Sequence, residues 1–275
     1  MQGAPSRTAF GVAGRRAAHQ LLDRPLVFED PLAVRIVGGL VDMKESPMSR
    51  ALRAFMAVRS RFAEDRLAKA AERGVRQYVV LGAGLDTFAY RNPFAIRVFE
   101  VDHPATQGWK RQLLEEAGIA PPETAKFVAV DFERDQLAKR LATAGFDLRE
   151  PAFFSWLGVT PYLTREAFDE TLGFLRSTAR ESGIAFDWCV EPSMLSDMER
   201  MTVEALAARV AAAGEPFRLF FRPEDLEASL RAAGFDSIET LGRDEINVRY
   251  FADRSDGLQV RGAAGRLTCA MKNGG

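Results

Sequence analysis

The residues with the clearest chemical potential lie in one short string, Val79-Val80-Leu81-Gly82-Ala83-Gly84-Leu85-Asp86-Thr87. An apolar run that breaks into two glycines lets a ligand approach bare backbone at a tight turn. G-x-G alone is a weak signal: the dinucleotide fingerprint needs a third small residue, and that position holds Thr87. The fingerprint also seats a pyrophosphate on the N-terminus of the helix it opens. Asp86 at such a helix start repels a pyrophosphate yet tolerates an ammonium or sulfonium group, and it serves equally as an ordinary N-cap. Eighteen residues beyond Gly84, Phe99-Glu100-Val101-Asp102 closes a second apolar run. A carboxylate there accepts hydrogen bonds from both ribose hydroxyls and disfavours a 2′-phosphate, so NADP is the least suited nucleotide; its plainer role is a cap before His103-Pro104. Val128-Ala129-Val130-Asp131-Phe132 repeats the pattern. A carboxylate beside an aromatic ring suits adenine, which offers an exocyclic amine and a flat apolar face. Three such ends in series describe a nucleoside site without a phosphate site, which S-adenosylmethionine fits better than NAD.

The acids end apolar runs, so strands must carry them. The runs are 77–81, 96–101, 126–130, 152–157 and 184–190, each followed by an amphipathic or capped stretch. Short apolar strands alternating with helices predict a parallel sheet covered on both faces. Residues 6–72 read as helical: Asp23-Arg24-Pro25, Glu29-Asp30-Pro31 and Ser46-Pro47 are breaks, and between them apolar residues recur three and four apart, as in Ala51, Leu52, Phe55 and Met56. Beyond Val190, 193–213 is a long Ala/Met/Glu-rich helical stretch broken by Gly214-Glu215-Pro216. Another helix is expected over 223–233, and 237–241 and 265–271 supply two closing strands. No repeat or long linker divides the chain. One α/β domain over 1–275 is expected, with a helical N-terminal cap (1–74), a nucleoside-binding core (75–192), a helical lid inserted after the fifth strand (193–222), and a closing helix and strands (223–275).

Composition narrows the partners. Of 275 residues 47% are hydrophobic and 27% charged, and 37 Lys+Arg against 38 Asp+Glu leave a net charge of -1. A near-neutral chain makes a polyanion a poor default partner, so no nucleic acid is expected. No apolar run approaches the roughly 20 residues that span a bilayer, and 1–22 lacks a signal-peptide core, so a cytoplasmic protein with no membrane partner is expected. Arg7, Arg15 and Arg16 with no acid before Asp23 have the composition of a transit peptide, but those arginines have a better use below. Two cysteines, Cys189 and Cys269, in apolar runs and two histidines, His19 and His103, make no convincing zinc cage, so no metal is expected. There is no G-x-S-x-G nucleophile elbow.

Gly82-Ala-Gly-Leu-Asp-Thr87 with Tyr90-Arg91, followed by Glu100-Val-Asp102-His-Pro104, resembles the leucine carboxyl methyltransferase-like branch of class I S-adenosylmethionine-dependent methyltransferases. More narrowly, it is similar to a large bacterial, especially actinobacterial, group within that branch. The likeness runs from Ser6-Arg7-Thr8-Ala9 through Val58-Arg59-Ser60-Arg61-Phe62, Ser155-Trp-Leu-Gly-Val-Thr-Pro-Tyr162 and Gly214-Glu-Pro-Phe217 to Arg249-Tyr-Phe251 and Gly265-Arg-Leu267, nearly the whole chain. It implies a Rossmann-like, seven-stranded, mostly parallel sheet with the last strand antiparallel. It also implies that Arg59 pairs with the methionyl carboxylate, with Arg7 as a second cationic contact. Gly82, Ala83, Gly84 and Asp86 would surround the methionyl segment, Asp102 the ribose, and Asp131 with Phe132 the adenine. Better-known members carry a Glu beside the cofactor at the end of the fourth strand, where this chain has Leu157-Gly158.

Methyl transfer from a sulfonium is an in-line displacement, so alignment and desolvation contribute much of the rate. A carboxylate acceptor is already ionised at neutral pH and needs no general base. The expectation is therefore O-methylation of a small-molecule acid or polyketide-like product, with Phe217, Phe220, Phe221, Tyr250 and Phe251 as candidate pocket walls or, equally, core aromatics. Two other readings use the same strand ends: an NAD-linked oxidoreductase, and an S-adenosylmethionine-binding protein without turnover.

Overall fold

In the computed structural model, residues 7–39, 41, 43, 45–132, 135–212 and 214–274 are described. Among the described residues α1 (Arg7–Leu22), α2 (Pro31–Ile36) and α3 (Pro47–Glu72) come first. Asp30 and Ser46 start the second and third by accepting hydrogen bonds from Ala33 N and Ser49 N, each followed by a proline where a missing N–H costs nothing. α3 is 26 residues long and buries Ala54, Val58, Phe62 and Leu67 on one stripe, with Arg53 and Arg59 buried among them.

Seven strands follow: β1 (Gln77–Leu81), β2 (Arg97–Asp102), β3 (Ala125–Ala129), β4 (Ala152–Trp156), β5 (Gly183–Cys189), β6 (Ser237–Leu241) and β7 (Gly265–Met271). Their order is β3-β2-β1-β4-β5-β7-β6. β1 to β5 pair in parallel, and β7 lies antiparallel between β5 and β6. The sheet is thus mostly parallel with its last strand reversed, as expected. Alternate residues feed two cores. Val79, Leu81, Phe99, Phe154, Trp156 and Trp188 pack on one face. Tyr78, Val80, Val98, Phe153, Ala185 and Leu267 meet Val58, Phe62 and Leu67 of α3 on the other. The remaining helices are α4 (Pro104–Glu116), α5 (Leu137–Thr143), α6 (Arg165–Arg176), α7 (Asp197–Ala212), α8 (Pro223–Ala232) and α9 (Arg243–Tyr250).

Two local expectations fail. The glycine turn does not open an α-helix; a single 3-10 turn, Phe88–Tyr90, stands there. Pro93 disfavours helical angles at Asn92, and the chain instead turns back through an Asn92 side chain that accepts from Phe94 N. α9 was not expected because it buries only Ile246 and shows no clear apolar stripe.

β1 lies between β2 and β4, so the chain winds away from it in both directions. The carboxyl end of β1 is therefore the topological switch point, where open α/β sheets take ligands, and the glycine turn sits on it.

Candidate functional site

Gly82 (φ +69) and Gly84 (φ +46) both adopt left-handed backbone, which costs a residue with a Cβ. The turn is anchored beneath by Gly82 N and Ala83 N, which donate to Val101 O at 2.8 and 3.0 Å. It is also tightly enclosed. A Cβ at Gly82 would stand 2.3 Å from Val159 Cγ2, and one at Gly84 would stand 3.3 Å from Ala9 Cβ on α1. The turn is thus held between the N-terminal cap and the loop after β4.

Asp102 clasps this turn. Its Oδ2 accepts from Gly84 N at 2.5 Å and its Oδ1 from His103 N at 2.7 Å. Burial raises the carboxyl above its usual range against the pull of those two N–H groups. A carboxylate has about four acceptor positions, so each oxygen keeps capacity for a further donor.

Asp86 stands in a different setting. Its Oδ1 accepts from Phe88 N at 2.8 Å, and Arg16 Nη1 lies 3.4 Å from its Oδ2. Burial pushes this carboxyl up, but Arg16, Arg91 and Lys110 outweigh it and leave it lowered. The same Arg16 reaches Asp30 Oδ2 at 2.8 Å, and Thr87 Oγ1 donates to Asp30 Oδ1 at 2.6 Å. Arg91 donates to both oxygens of Glu64. A buried ionic web therefore ties the turn to α1, α2 and α3. With a 3-10 turn where the helix was expected, there is no α-helix N-terminus to seat a pyrophosphate.

On the other side of the switch point, Arg59 is buried on α3, and its Nη1 donates to Asp187 Oδ2 at 3.1 Å. Among the described residues its other N–H groups have no hydrogen-bond partner. Asp187 Oδ1 accepts from Gly158 N at 2.5 Å. Leu157 is half-buried against the α3-side core and puts no charge beside the cleft. Asp131 follows β3 with its N–H on Asp135 Oδ2 at 2.9 Å, and Phe132 packs partly on the other core. Arg7 opens α1, but its side chain lies outside the described residues.

The candidate wall residues divide. Phe217 is half-buried with its ring 5.3 Å from Tyr162, and the chain there is pinned by Arg218 N and Leu219 N on Pro161 O, in the loop after β4. Burial pushes the Tyr162 hydroxyl up to about 12, against the opposing Arg59 charge. Phe221 is instead buried against Phe168 and Trp188 in the core. Tyr250 meets Asp65 through its hydroxyl at 3.4 Å. Asp65 lies six residues beyond Arg59 on α3, about 9 Å along the helix, so Tyr250 is on the flank of the sheet rather than at the strand ends.

Both histidines are occupied. His19 Nδ1 lies 2.7 Å from Asp23 Oδ2 while Nε2 accepts from Val27 N, and His103 Nδ1 accepts from Ala105 N to start α4. Burial pushes both cysteine thiols up to about 12. Sequence reasoning missed Asp187, whose signal was a lone carboxylate inside the apolar run 184–190, where charge is costly unless paired.

Residues 9–176 match the leucine carboxyl methyltransferase family. The chain belongs to this family. YktD of Bacillus subtilis (strain 168), named as an S-adenosyl-L-methionine-dependent methyltransferase, is 31% identical over 93% of this chain and 94% of its own. A relative so named from Mycobacterium avium (strain 104) is 33% identical over 79% of this chain and 76% of its own. Among solved structures, a methyltransferase-like protein of Thermobifida fusca superposes with a TM-score of 0.60 at 17% identity, over 99% of this chain and 97% of that one. The magnesium protoporphyrin IX methyltransferase of Synechocystis PCC 6803, solved with S-adenosylhomocysteine bound, gives 0.53 at 14% identity over 87% and 92%. The leucine carboxyl methyltransferase-like chain is thus an S-adenosylmethionine-dependent methyltransferase with a Rossmann-like sheet. No helix among its described residues is long and apolar enough to cross a membrane.

Proposed function

We propose that the cleft at the carboxyl ends of β1, β2 and β4 holds S-adenosylmethionine, and that the acceptor is a carboxylate oxygen of a small molecule or polyketide-like product. The residues present fit the cofactor: among the described residues Arg59 has N–H groups without a hydrogen-bond partner, Asp102 has spare acceptor capacity, and Gly82 and Gly84 add no side chain to the turn. Arg59, with Arg7, would take the methionyl carboxylate, a geometry a guanidinium matches bidentately. Gly82, Ala83, Gly84 and Asp86 would flank the methionyl segment, Asp102 the ribose, and Asp131 and Phe132 the adenine, with Leu157 as apolar lining. When bound, S-adenosylmethionine supplies a methyl group on a cationic sulfur. The protein's contribution would be to fix direction and exclude water, with α1 and the loop after β4 packed on the turn.

The observation that carries the acceptor class is the occupied state of both histidines. Each spends its acceptor nitrogen on backbone N–H groups, so neither is free to take an acceptor's proton. Burial pushes Glu64 up to about 7 against the pull of Arg91, but both its oxygens are on that guanidinium. Tyr162, at about 12, stays protonated at neutral pH. An acceptor that arrives ionised needs none of these. The family's own name, for transfer to a leucine carboxyl group, favours the same class. Tyr162 and Phe217 would form the apolar wall of the acceptor site. The test is turnover of the purified protein with a panel of acids, phenols and peptides, reading S-adenosylhomocysteine. Acids should turn over with a rate nearly flat from about pH 6 to 8; turnover confined to phenols, rising with pH, would overturn the carboxylate reading.

A further inference from the structure

We infer that Asp187 is the positioning residue that aims Arg59, and that Gly158 is bare so that the two can meet; this rests on the assignment of Arg59 to the methionyl carboxylate. Asp187 is a buried carboxylate within β5, a costly placement unless each oxygen is paired. Each is. Oδ2 takes Arg59 Nη1 at 3.1 Å and Oδ1 takes Gly158 N at 2.5 Å. The backbone of the same residue is fixed from the loop side, because Thr160 Oγ1 donates to Asp187 O at 2.5 Å. Gly158 closes the triangle. At φ +70 it has no side chain, and a Cβ there would lie 2.8 Å from both Nη1 and Nη2 of Arg59 and 3.1 Å from Cζ, so the guanidinium lies against this backbone. Arg59 would otherwise sample many rotamers. Here one N–H is fixed from behind, leaving Nε and Nη2 for a ligand carboxylate, so less freedom is lost on binding.

The test compares two ligands that differ at the far end only. S-adenosylhomocysteine carries the carboxylate and its ammonium; 5′-methylthioadenosine has the same nucleoside and sulfur without either, and the Arg59→Ala background tells which of the two the loss belongs to. Asp187→Asn keeps one acceptor oxygen for two donors, so the clasp is broken with little change of volume. Calorimetric titration should show S-adenosylhomocysteine weakened roughly tenfold and 5′-methylthioadenosine changed less than about twofold. Gly158→Ala sets a Cβ against the same guanidinium and should give the same selective loss. In Arg59→Ala, adding Asp187→Asn should cost no further affinity. If Asp187→Asn weakens both ligands alike, or neither while Arg59→Ala weakens S-adenosylhomocysteine, the positioning role is wrong and the site stands. If Arg59→Ala leaves S-adenosylhomocysteine unaffected, the carboxylate assignment falls and this inference with it.

Discussion

Asp102→Ala separates the role the structure gives this side chain from the one proposed for it. The carboxylate now accepts from Gly84 N and His103 N, and alanine would leave both donors without it. A buried unsatisfied donor costs about 1–3 kcal/mol. Two offsets lower the sum: burial already raises this carboxyl, so removing its charge relieves desolvation, and Asp102 is only half-buried, so water can replace it. The expected loss of stability is therefore about 2 kcal/mol. Ligand affinity should fall further. Two ribose hydroxyls donating to a charged acceptor contribute about 3 kcal/mol together, or roughly a hundredfold in dissociation constant. The assay is titration with S-adenosylhomocysteine beside thermal unfolding of the free protein. An affinity within about threefold of the parent, together with the expected thermal shift, would show that Asp102 clasps the turn and does nothing for the ribose.

Two further outcomes follow from the same geometry. Gly82→Ala forces a left-handed backbone onto a Cβ and drives it to 2.3 Å from Val159 Cγ2, so thermal unfolding should show a loss of about 2–4 kcal/mol, and an unchanged melting temperature would mean that the turn is not held as described. Asp23 anchors His19 and Arg53; burial pushes its carboxyl up, but those two partners outweigh it and bring it from 3.8 to about 2. A depressed carboxyl contributes stability that is present above its unfolded value and lost as pH falls through the folded one. Chemical denaturation should therefore show roughly 2 kcal/mol disappearing between about pH 4 and 2, and Asp23→Asn should flatten that part of the profile.

The first five strands were legible because each is a short, largely apolar run set off from a helical stretch. The expected spans 77–81, 237–241 and 265–271 coincide with β1, β6 and β7, and the others differ by about a residue at their ends. The 3-10 turn after Gly84 was not legible, since Asp86-Thr87-Phe88 reads as a well-capped helix start and only the return through Asn92-Pro93 prevents it. The ionic ties were hidden for a different reason. Arg59 and Asp187 are 128 residues apart, Asp30 and Thr87 57, and no local pattern couples such pairs. Phe217 and Phe221 show the same limit within five residues: one ring packs on Tyr162 and the other on Trp188 in the core, a division set by tertiary partners that no local pattern announces.

The missing helix also bears on how the proposed site chooses its ligand. In the dinucleotide arrangement a helix N-terminus supplies partial positive charge at the glycine turn, which draws a phosphate. Here that position holds Asp86, whose charge is balanced from behind by Arg16 and Arg91 rather than by the ligand. In the proposed site a cation is supplied instead from α3, by Arg59, on the β4 side of the switch point. Carboxylates stand at the ends of β2 and β3. A ligand with a carboxylate at one end, hydroxyls and an amine at the other, and a positive sulfur between them matches that polarity; a pyrophosphate would find carboxylates where it needs donors. The net charge of -1 is thus compatible with strong local fields, because the basic residues come from the N-terminal helices and the acidic ones from the strand ends they cover. Reversing Arg59 alone should therefore cost more affinity for a carboxylate-bearing ligand than its share of the total charge suggests, since no helix dipole stands behind it.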